Sequence, residues 1–507
     1  MTRFDFGLIA LTGFALILSF PPFLGGPVAM VALIPLLHFV GGKSARIAFV
    51  GGYLIGFIWT VGTLYWIGWA TIAGFLGAAI YIPIFIGFLT CLLNWLIHLR
   101  GHSVLWFTPF LWTGMEIIQS SGVMGFPWNQ LANSQTIMIP FIQFASIFGS
   151  YGIGFWVVLI NVILFWLIKG FGKNQRTIVL ISSLILVLSA PYIYGQHVLK
   201  KRDLQGATIN IALVQGNIDP YKKWTPSFVD SNFVVYQRLT KMAEIHSPDL
   251  IVWPETATPC YLRYRFHYLS EVKSIAKYMN CPIITGSPDY EWNKQGKAIT
   301  YNASLLIHPE SPLIQRYYKK HLVPFSERVP LVDKLPFFYR WLSSINLDVG
   351  NYAPGDSTYV FTVNRKKEKP FRFGSAICFD SAFPLHVQEL VKKGAQFLII
   401  MTNDAWFGHT SGPYQHAQLA VIRAIETRRW VVRCANTGIS GFIDPWGRYQ
   451  QKSDFQKEAL LHQKIFLKNN KTFFVRYGHI FIYLMLLCNV LIILYAFIKR
   501  QNIPEMS

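Results

Sequence analysis

The chain changes its hydrophobic rhythm near residue 195. Before that point long apolar runs recur at about 6–23, 27–42, 47–68, 72–97, 103–120, 139–168 and 177–195, and one more lies at 474–498. A helix needs about 20 apolar residues to cross a hydrocarbon core, so these runs predict about eight transmembrane helices. The first run follows Arg3, lacks a small-residue cleavage site and is followed at once by others. It is expected to be a retained helix, not a signal peptide. The second begins at Pro27 and is short for a span.

Between 196 and 473 the apolar runs shorten to strand length, at 209–214, 250–253, 282–285, 303–307, 371–377 and 397–401. Helical spacing appears between them, at 226–246, 266–279, 384–393 and 413–433. That alternation predicts a sheet covered by helices. Three domains are therefore expected: a membrane domain over 1–195, an α/β domain over 196–473, and a final span with a short tail over 474–507.

Composition sharpens this division. The chain is 52% hydrophobic and only 14% charged, against about 25% charged in ordinary globular proteins. Up to position 200 the charged residues are Arg3, Asp5, Lys43, Arg46, Arg100, Glu116, Lys169, Lys173, Arg176 and Lys200. Their placement orients the spans, because Lys and Arg gather on the cytoplasmic side. Arg3, Lys43 with Arg46, Arg100, the 169–176 group, and Lys499 with Arg500 fall in alternate connections, whereas 121–138 carries no Lys or Arg. Both termini are then expected in the cytoplasm and 196–473 on the far side, the periplasm in a bacterium. The net charge of +21 points to an anionic lipid surface, not nucleic acid.

Glu116, near the end of the fifth apolar run, reads either as a functional intramembrane carboxylate or as an interfacial residue capped by water. After it, the Gly- and Pro-broken stretch 122–129 reads as a loop dipping back at the interface.

Strand ends are where α/β folds collect chemistry. Glu255 follows 250–253, Cys378 follows 371–377, Asn403 and Asp404 follow 397–401, and Lys319 follows the 313–318 run. A nucleophilic thiol needs a base and a cation or donor for the developing negative charge. Each residue alone reads as well as a packed Cys or a solvated Glu or Lys; their shared position at strand ends favours the joint reading. Cys260, Cys281 and Cys434 share the domain with Cys378, where disulfides are permitted and the sequence selects no pairing. His321 and His416 lack ligand spacing, so no metal is expected.

On these residues the segment 206–450 resembles the nitrilase (carbon–nitrogen hydrolase) superfamily, whose Glu-Lys-Cys triad matches Glu255, Lys319 and Cys378. With its spans, the whole chain resembles the membrane-fused apolipoprotein N-acyltransferase branch. The shared motifs are Gly125-Phe126-Pro127-Trp128, Trp253-Pro254-Glu255, His321-Leu322-Val323-Pro324-Phe325, the run Asn403-Asp404-Ala405-Trp406-Phe407-Gly408, and Arg423-Ala424-Ile425-Glu426 running to Asn436-Thr437-Gly438. The Lys-x-His-Leu pattern selects Lys319 over Lys320. Departures are Ser326 before Glu327 where Gly is common, and Phe379-Asp380 where Tyr-Glu is common.

The resemblance implies an αββα sandwich in the periplasm of a bacterial inner-membrane enzyme without cofactor or metal, working as a monomer. It implies that Cys378 takes an acyl chain from the sn-1 ester of a phospholipid, phosphatidylethanolamine preferred, as a thioester. The α-amine of a diacylglyceryl-cysteine apolipoprotein then receives the chain. Glu255 would be the general base and Lys319 the oxyanion partner, with Glu327, Phe379 and Asp380 in support. Trp224, Trp406 and Asn403 are substrate-binding candidates, Trp406 reading equally as core. The aromatic stretch 335–342 reads as a headgroup-level arm or as a core element. Two alternatives remain open at this point. A tethered amidase would use the same triad with water as acceptor and release no lysophospholipid; a permease or scaffold would need intramembrane charge, and Glu116 is nearly alone.

Overall fold

The computed structural model describes residues 1–23, 25–170, 172, 174–201, 206–330, 350–365 and 368–498. The expected arm at 335–342 lies outside the described residues, as do Lys173, Lys499 and Arg500. Two compact units result: one holds 1–68, 72–201 and 477–507, the other 69–71 and 202–476.

The first unit is helical. Among the described residues, five helices are long and apolar enough to cross a membrane: Ala45–Leu64, Ile72–Arg100, Ala145–Gly170, Gln175–Lys200 and Phe473–Ile498. The other three expected spans take shorter forms. Arg3–Leu18 is a single helix of 16 residues. The run from Pro27 splits into Gly26–Ala29 and Ile34–Phe39. The fifth run is a 3-10 helix, His102–Phe107, feeding the 12-residue helix Thr108–Gln119. Small residues let these helices close on one another: a side chain at Gly52 would collide with Thr90 on the facing helix.

Glu116 is not the water-capped interfacial residue that one sequence reading allowed. It is 2% exposed, and its Oε1 accepts from Trp112 Nε1 at 3.0 Å and from the backbone N–H of Leu131 at 2.8 Å. The carboxylate thus holds down the stretch after it, which is buried from 125 to 136. Burying a carboxylate is tolerable only with such donors.

The second unit contains twelve strands among the described residues. In chain order they are β1 (Thr208–Gln215), β2 (Leu250–Val252), β3 (Ile283–Trp292), β4 (Ala298–Ile307), β5 (Gln315–Tyr318), β6 (Val360–Val363), β7 (Phe371–Ile377), β8 (Phe397–Thr402), β9 (Val431–Ala435), β10 (Gly441–Ile443), β11 (Tyr449–Lys452) and β12 (Ala459–Phe466). They form two six-stranded sheets, ordered β12-β1-β2-β3-β4-β5 and β11-β10-β9-β8-β7-β6. Each has a parallel centre, β1–β2–β3 and β7–β8–β9, with antiparallel flanks. Ile211, Leu213 and Val252 from one sheet and Phe373, Ile377 and Met401 from the other share one core. Helices Pro226–Met242 and Phe266–Tyr278 cover the first sheet, and Pro384–Lys392 and Gly412–Thr427 the second. The result is the expected four-layer αββα sandwich.

One expected helix, 413–433, is wrong at its end. The helix stops at Thr427, Arg428 turns left-handed at φ 50°, and the chain re-enters the second sheet as β9. Every residue of β9 is buried, so it lacks the alternation that marks a half-exposed strand.

Candidate active site

Sheet geometry first decides which ends meet. β2 and β3 are parallel, and β5 runs antiparallel to β4, which runs antiparallel to β3. The carboxyl ends of β2 and β5 therefore share one edge, bringing the residues after them together.

After β2 the chain turns through Trp253-Pro254-Glu255-Thr256. Trp253 is fully buried, stacked on Tyr236 with centroids 5.1 Å apart, and its Nε1 donates to Thr240 Oγ1 at 3.0 Å. Thr256 sits at φ 47°, a left-handed conformation that costs a β-branched residue energy. The neighbouring strand reaches this turn only because residue 286 is glycine: a Cβ there would lie 2.5 Å from Thr256 N and 2.6 Å from Glu255 Cα. On this turn Glu255 is nearly buried and fully directed. Its Oε1 accepts from Asn302 Nδ2 at 2.8 Å, and its Oε2 from the Asn403 N–H at 2.9 Å.

Lys319 is 1% exposed, and its backbone N–H donates to Asn302 O at 2.8 Å. The ammonium lies 3.5 Å from Glu255 Oε1 and 2.8 Å from Glu327 Oε2. Burial opposes its charge, yet Glu327, then Glu255 and Cys378, outweigh burial and hold it well above the ordinary lysine range. Glu327 is itself fixed by the Val323 N–H at 2.9 Å and by Asn302 Nδ2 at 3.0 Å. One amide of Asn302 therefore spans two carboxylates that would otherwise repel. Lys320, one residue on, is only half-buried, and its N–H donates to Tyr317 OH at 3.3 Å.

Cys378 begins the short helix Cys378–Ala382 at the end of β7, with φ 50°. Its carbonyl accepts from Ser381 Oγ at 2.7 Å and faces His416 Nε2 at 3.3 Å. His416 Nδ1 in turn lies 2.8 Å from Asp404 Oδ1, and Arg433 donates to Asp404 Oδ2 at 2.8 Å. Burial pushes the Cys378 thiol well above its ordinary value; Glu255 adds to this and Lys319 opposes it. The resting sulfur is thus a thiol, and attack requires a base to remove its proton.

Asp380 joins the thiol turn to the lysine loop. Its Oδ1 accepts from the His321 N–H at 2.8 Å and faces His321 Nδ1 at 3.0 Å, while Oδ2 accepts from Tyr317 OH at 2.8 Å and the Ile377 N–H at 3.2 Å. Burial works against this carboxylate's charge, but His386, His321 and Lys319 hold it well below the usual carboxylate range. His386 is pushed down to about 4, chiefly by burial, and stays neutral. His321, Asp380 and His386 bring metal-ligand atoms within 4.8 Å of one another. Both oxygens of Asp380 already serve protein donors, so the cluster works as a clamp.

Glu255, Lys319, Glu327, Cys378 and Asp380 are thus brought together. Asn403 joins them through its backbone N–H, while its side-chain Oδ1 accepts from Asn436 Nδ2 at 3.0 Å. Phe379 is buried edge-on against Phe383. Trp224 is 42% exposed, and half-buried Trp406 meets Tyr221 edge-on at 5.3 Å. All six cysteines are free thiols; Cys434 lies between the sheets, its thiol pointing at the Val214 and Val252 carbonyls. Neither Asn302 nor Lys223 stands in a motif that the sequence offers. An Asn in mid-strand carries no motif, and its only sequence signal is a polar residue just before the apolar run of β4.

Residues 210–469 match the carbon–nitrogen hydrolase family, and residues 12–163 match the apolipoprotein N-acyltransferase N-terminal domain. The apolipoprotein N-acyltransferase of Geobacter metallireducens is 36% identical, aligned over 94% of this chain and 92% of its own. That of Chlorobaculum tepidum is 30% identical over 92% of each chain. That of Haemophilus influenzae is 29% identical over 98% of this chain and 96% of its own. A solved nitrilase-superfamily protein of Saccharomyces cerevisiae aligns at a TM-score of 0.39 and 19% identity, covering 52% of this chain and 92% of its own.

Proposed function

This chain belongs to the apolipoprotein N-acyltransferase family, and we propose that it moves an acyl chain from a membrane phospholipid, through a thioester on Cys378, to the amine of a lipoprotein. It is an acyltransferase of lipoprotein biosynthesis in a bacterial membrane. The observation that carries the mechanism is the Lys319 ammonium lodged between Glu255 and Glu327, beside a protonated nucleophile on a left-handed turn.

As Cys378 attacks the sn-1 ester carbonyl of phosphatidylethanolamine, Glu255 takes the thiol proton. Lys319 stands where the tetrahedral oxygen gains charge, preset by Glu327 so that no reorganisation is needed. Collapse breaks the ester bond, and Glu255 returns its proton to the departing lysophospholipid oxygen. In the second half the α-amine of the diacylglyceryl-cysteine attacks the thioester, Glu255 takes the amine proton, and Cys378 leaves and recovers it. Two half-reactions through one thiol give ping-pong kinetics. Glu327 and Asp380 position Lys319 and the Cys378 turn; Trp224, Trp406 and Asn403 line the substrate side. The enzyme acts as a monomer.

The charge pattern supports a placement with about eight membrane segments, three of them short or broken, both termini in the cytoplasm, and 196–473 in the periplasm. There the site meets both lipid substrates from the outer leaflet.

The test is full-length protein in mixed micelles with phosphatidylethanolamine and a diacylglyceryl-cysteine peptide. The proposal expects N-acyl peptide and lysophospholipid in equal amounts, and neither from Cys378→Ala. Free fatty acid or ammonia without peptide acylation would identify a hydrolase instead.

A further inference from the structure

A second lysine is buried beside the base, and the acyl-transfer steps leave it no part. Lys223 lies in the 219–226 loop next to Trp224 and is 2% exposed. Its ammonium donates to Thr256 O at 3.2 Å and to Thr256 Oγ1. Among the described residues no carboxylate lies within ion-pair distance of it. A buried ammonium without a paired anion is costly, and an apolar side chain would fill the same space at less expense. Burial pushes it down to about 8, and the one charge pulling it back is Glu255.

Thr256 is the left-handed residue that ends the Glu255 turn. Such a conformation persists only where its surroundings hold it. Lys223 supplies that hold from a loop that is itself pinned: its N–H donates to Asp219 O at 3.1 Å, and its carbonyl accepts from Asn232 Nδ2 at 3.1 Å. Its Nζ also sits 5.5 Å from the Trp224 ring centroid.

We propose that Lys223 is a positioning residue for Glu255, fixing the turn that aims the base and coupling it to the 219–226 loop. The inference rests on the reading of Glu255 as general base. A positioning role predicts a loss in the chemical step with donor binding unchanged, whereas loosened packing disturbs both.

The experiment is single-turnover lysophospholipid release from phosphatidylethanolamine micelles by full-length protein, followed across donor concentration. Lys223→Met should lose about 10²-fold in rate, at an unchanged half-saturating donor concentration. Lys223→Arg, which keeps a charged donor for Thr256, should recover about tenfold or more of that loss. A folded Lys223→Met within about threefold of wild type overturns the inference, as does Lys223→Arg no better than Lys223→Met. Should Lys223→Met fail to fold, Thr256→Val removes one acceptor while keeping the lysine; a wild-type rate there overturns the inference, and a drop of about tenfold sustains it. Glu255→Gln separates the two claims: if it stays active the base assignment itself is wrong, and if it is dead while Lys223→Met is normal only the positioning role fails.

Discussion

Lys319 and Lys320 are adjacent, equally basic, and placed differently by the last residues of one strand. Neighbours on extended backbone point to opposite faces, so the ammonium of Lys319 enters the carboxylate pair while Lys320 stays half-buried outside it. Losing an oxyanion donor typically costs about 10²–10³ in turnover. Lys319→Met is expected to lose that much in single-turnover lysophospholipid release, and Lys320→Met less than about tenfold. Arg at 319 should rescue poorly, because a planar guanidinium does not fit a slot shaped for a point charge. The reverse ranking would place the motif one residue out of register. His386 carries a stability signature at the same scale. Its folded value is about 4 against 6.5 for the free imidazole, so between those values the unfolded chain binds the extra proton. Stability should therefore fall as pH drops from 6.5 towards 4, by on the order of 2–3 kcal/mol. Chemical-denaturation midpoints should show that slope in the wild type and a flatter one in His386→Asn; equal slopes would assign it elsewhere.

At the scale of elements, the turn after β2 depends on the bare backbone of β3. Gly286→Ala puts a methyl group 2.5–2.7 Å from Thr256 N, Glu255 Cα and Pro254 O. All three are backbone atoms, which cannot swing aside as a flexible side chain would, so the turn must move. A shift of about 1 Å in the base costs about 10²-fold in rate; the expected variant is folded, lipid-binding and slow. Wild-type turnover by Gly286→Ala would show that the turn tolerates displacement. The elements that carry Glu255, Cys378 and Asn403 were readable because β2, β7 and β8 are apolar runs closed by a polar residue. Local pattern makes β9 the tail of a helix because its buried residues show no alternation. β10, with three residues, and β11 and β12, with alternating exposed polar positions, owe their pairing to partners far along the chain. Local pattern does not contain such partners. Asn302 and Lys223 were invisible for the same reason: their meaning lies in contacts with the Glu255 turn, 47 and 33 positions away. Glu116 was conspicuous as an acid in an apolar run, but its role as an acceptor for Trp112 and Leu131 needed the fold.

The whole molecule is a membrane part and a soluble sandwich in one chain, and its net charge of +21 suits an anionic bilayer. The distribution of Lys and Arg predicts the proposed topology. Single-cysteine labelling with an impermeant reagent in intact cells should modify residues 122 and 470 and spare 101 and 172. Labelling at 101 with protection at 470 would invert the orientation and remove the site from lipoproteins exported across the membrane. Acyl transfer through Cys378 requires an acyl-enzyme whose mass can be recorded directly. Full-length protein is incubated with phosphatidylethanolamine of a single acyl composition, without acceptor, and its intact mass is recorded. A Cys378 thioester gives one acyl chain per molecule, mapped to Cys378, released by neutral hydroxylamine and matched by one lysophospholipid; lysophospholipid formed with no adduct, or an adduct on another residue, rules that route out.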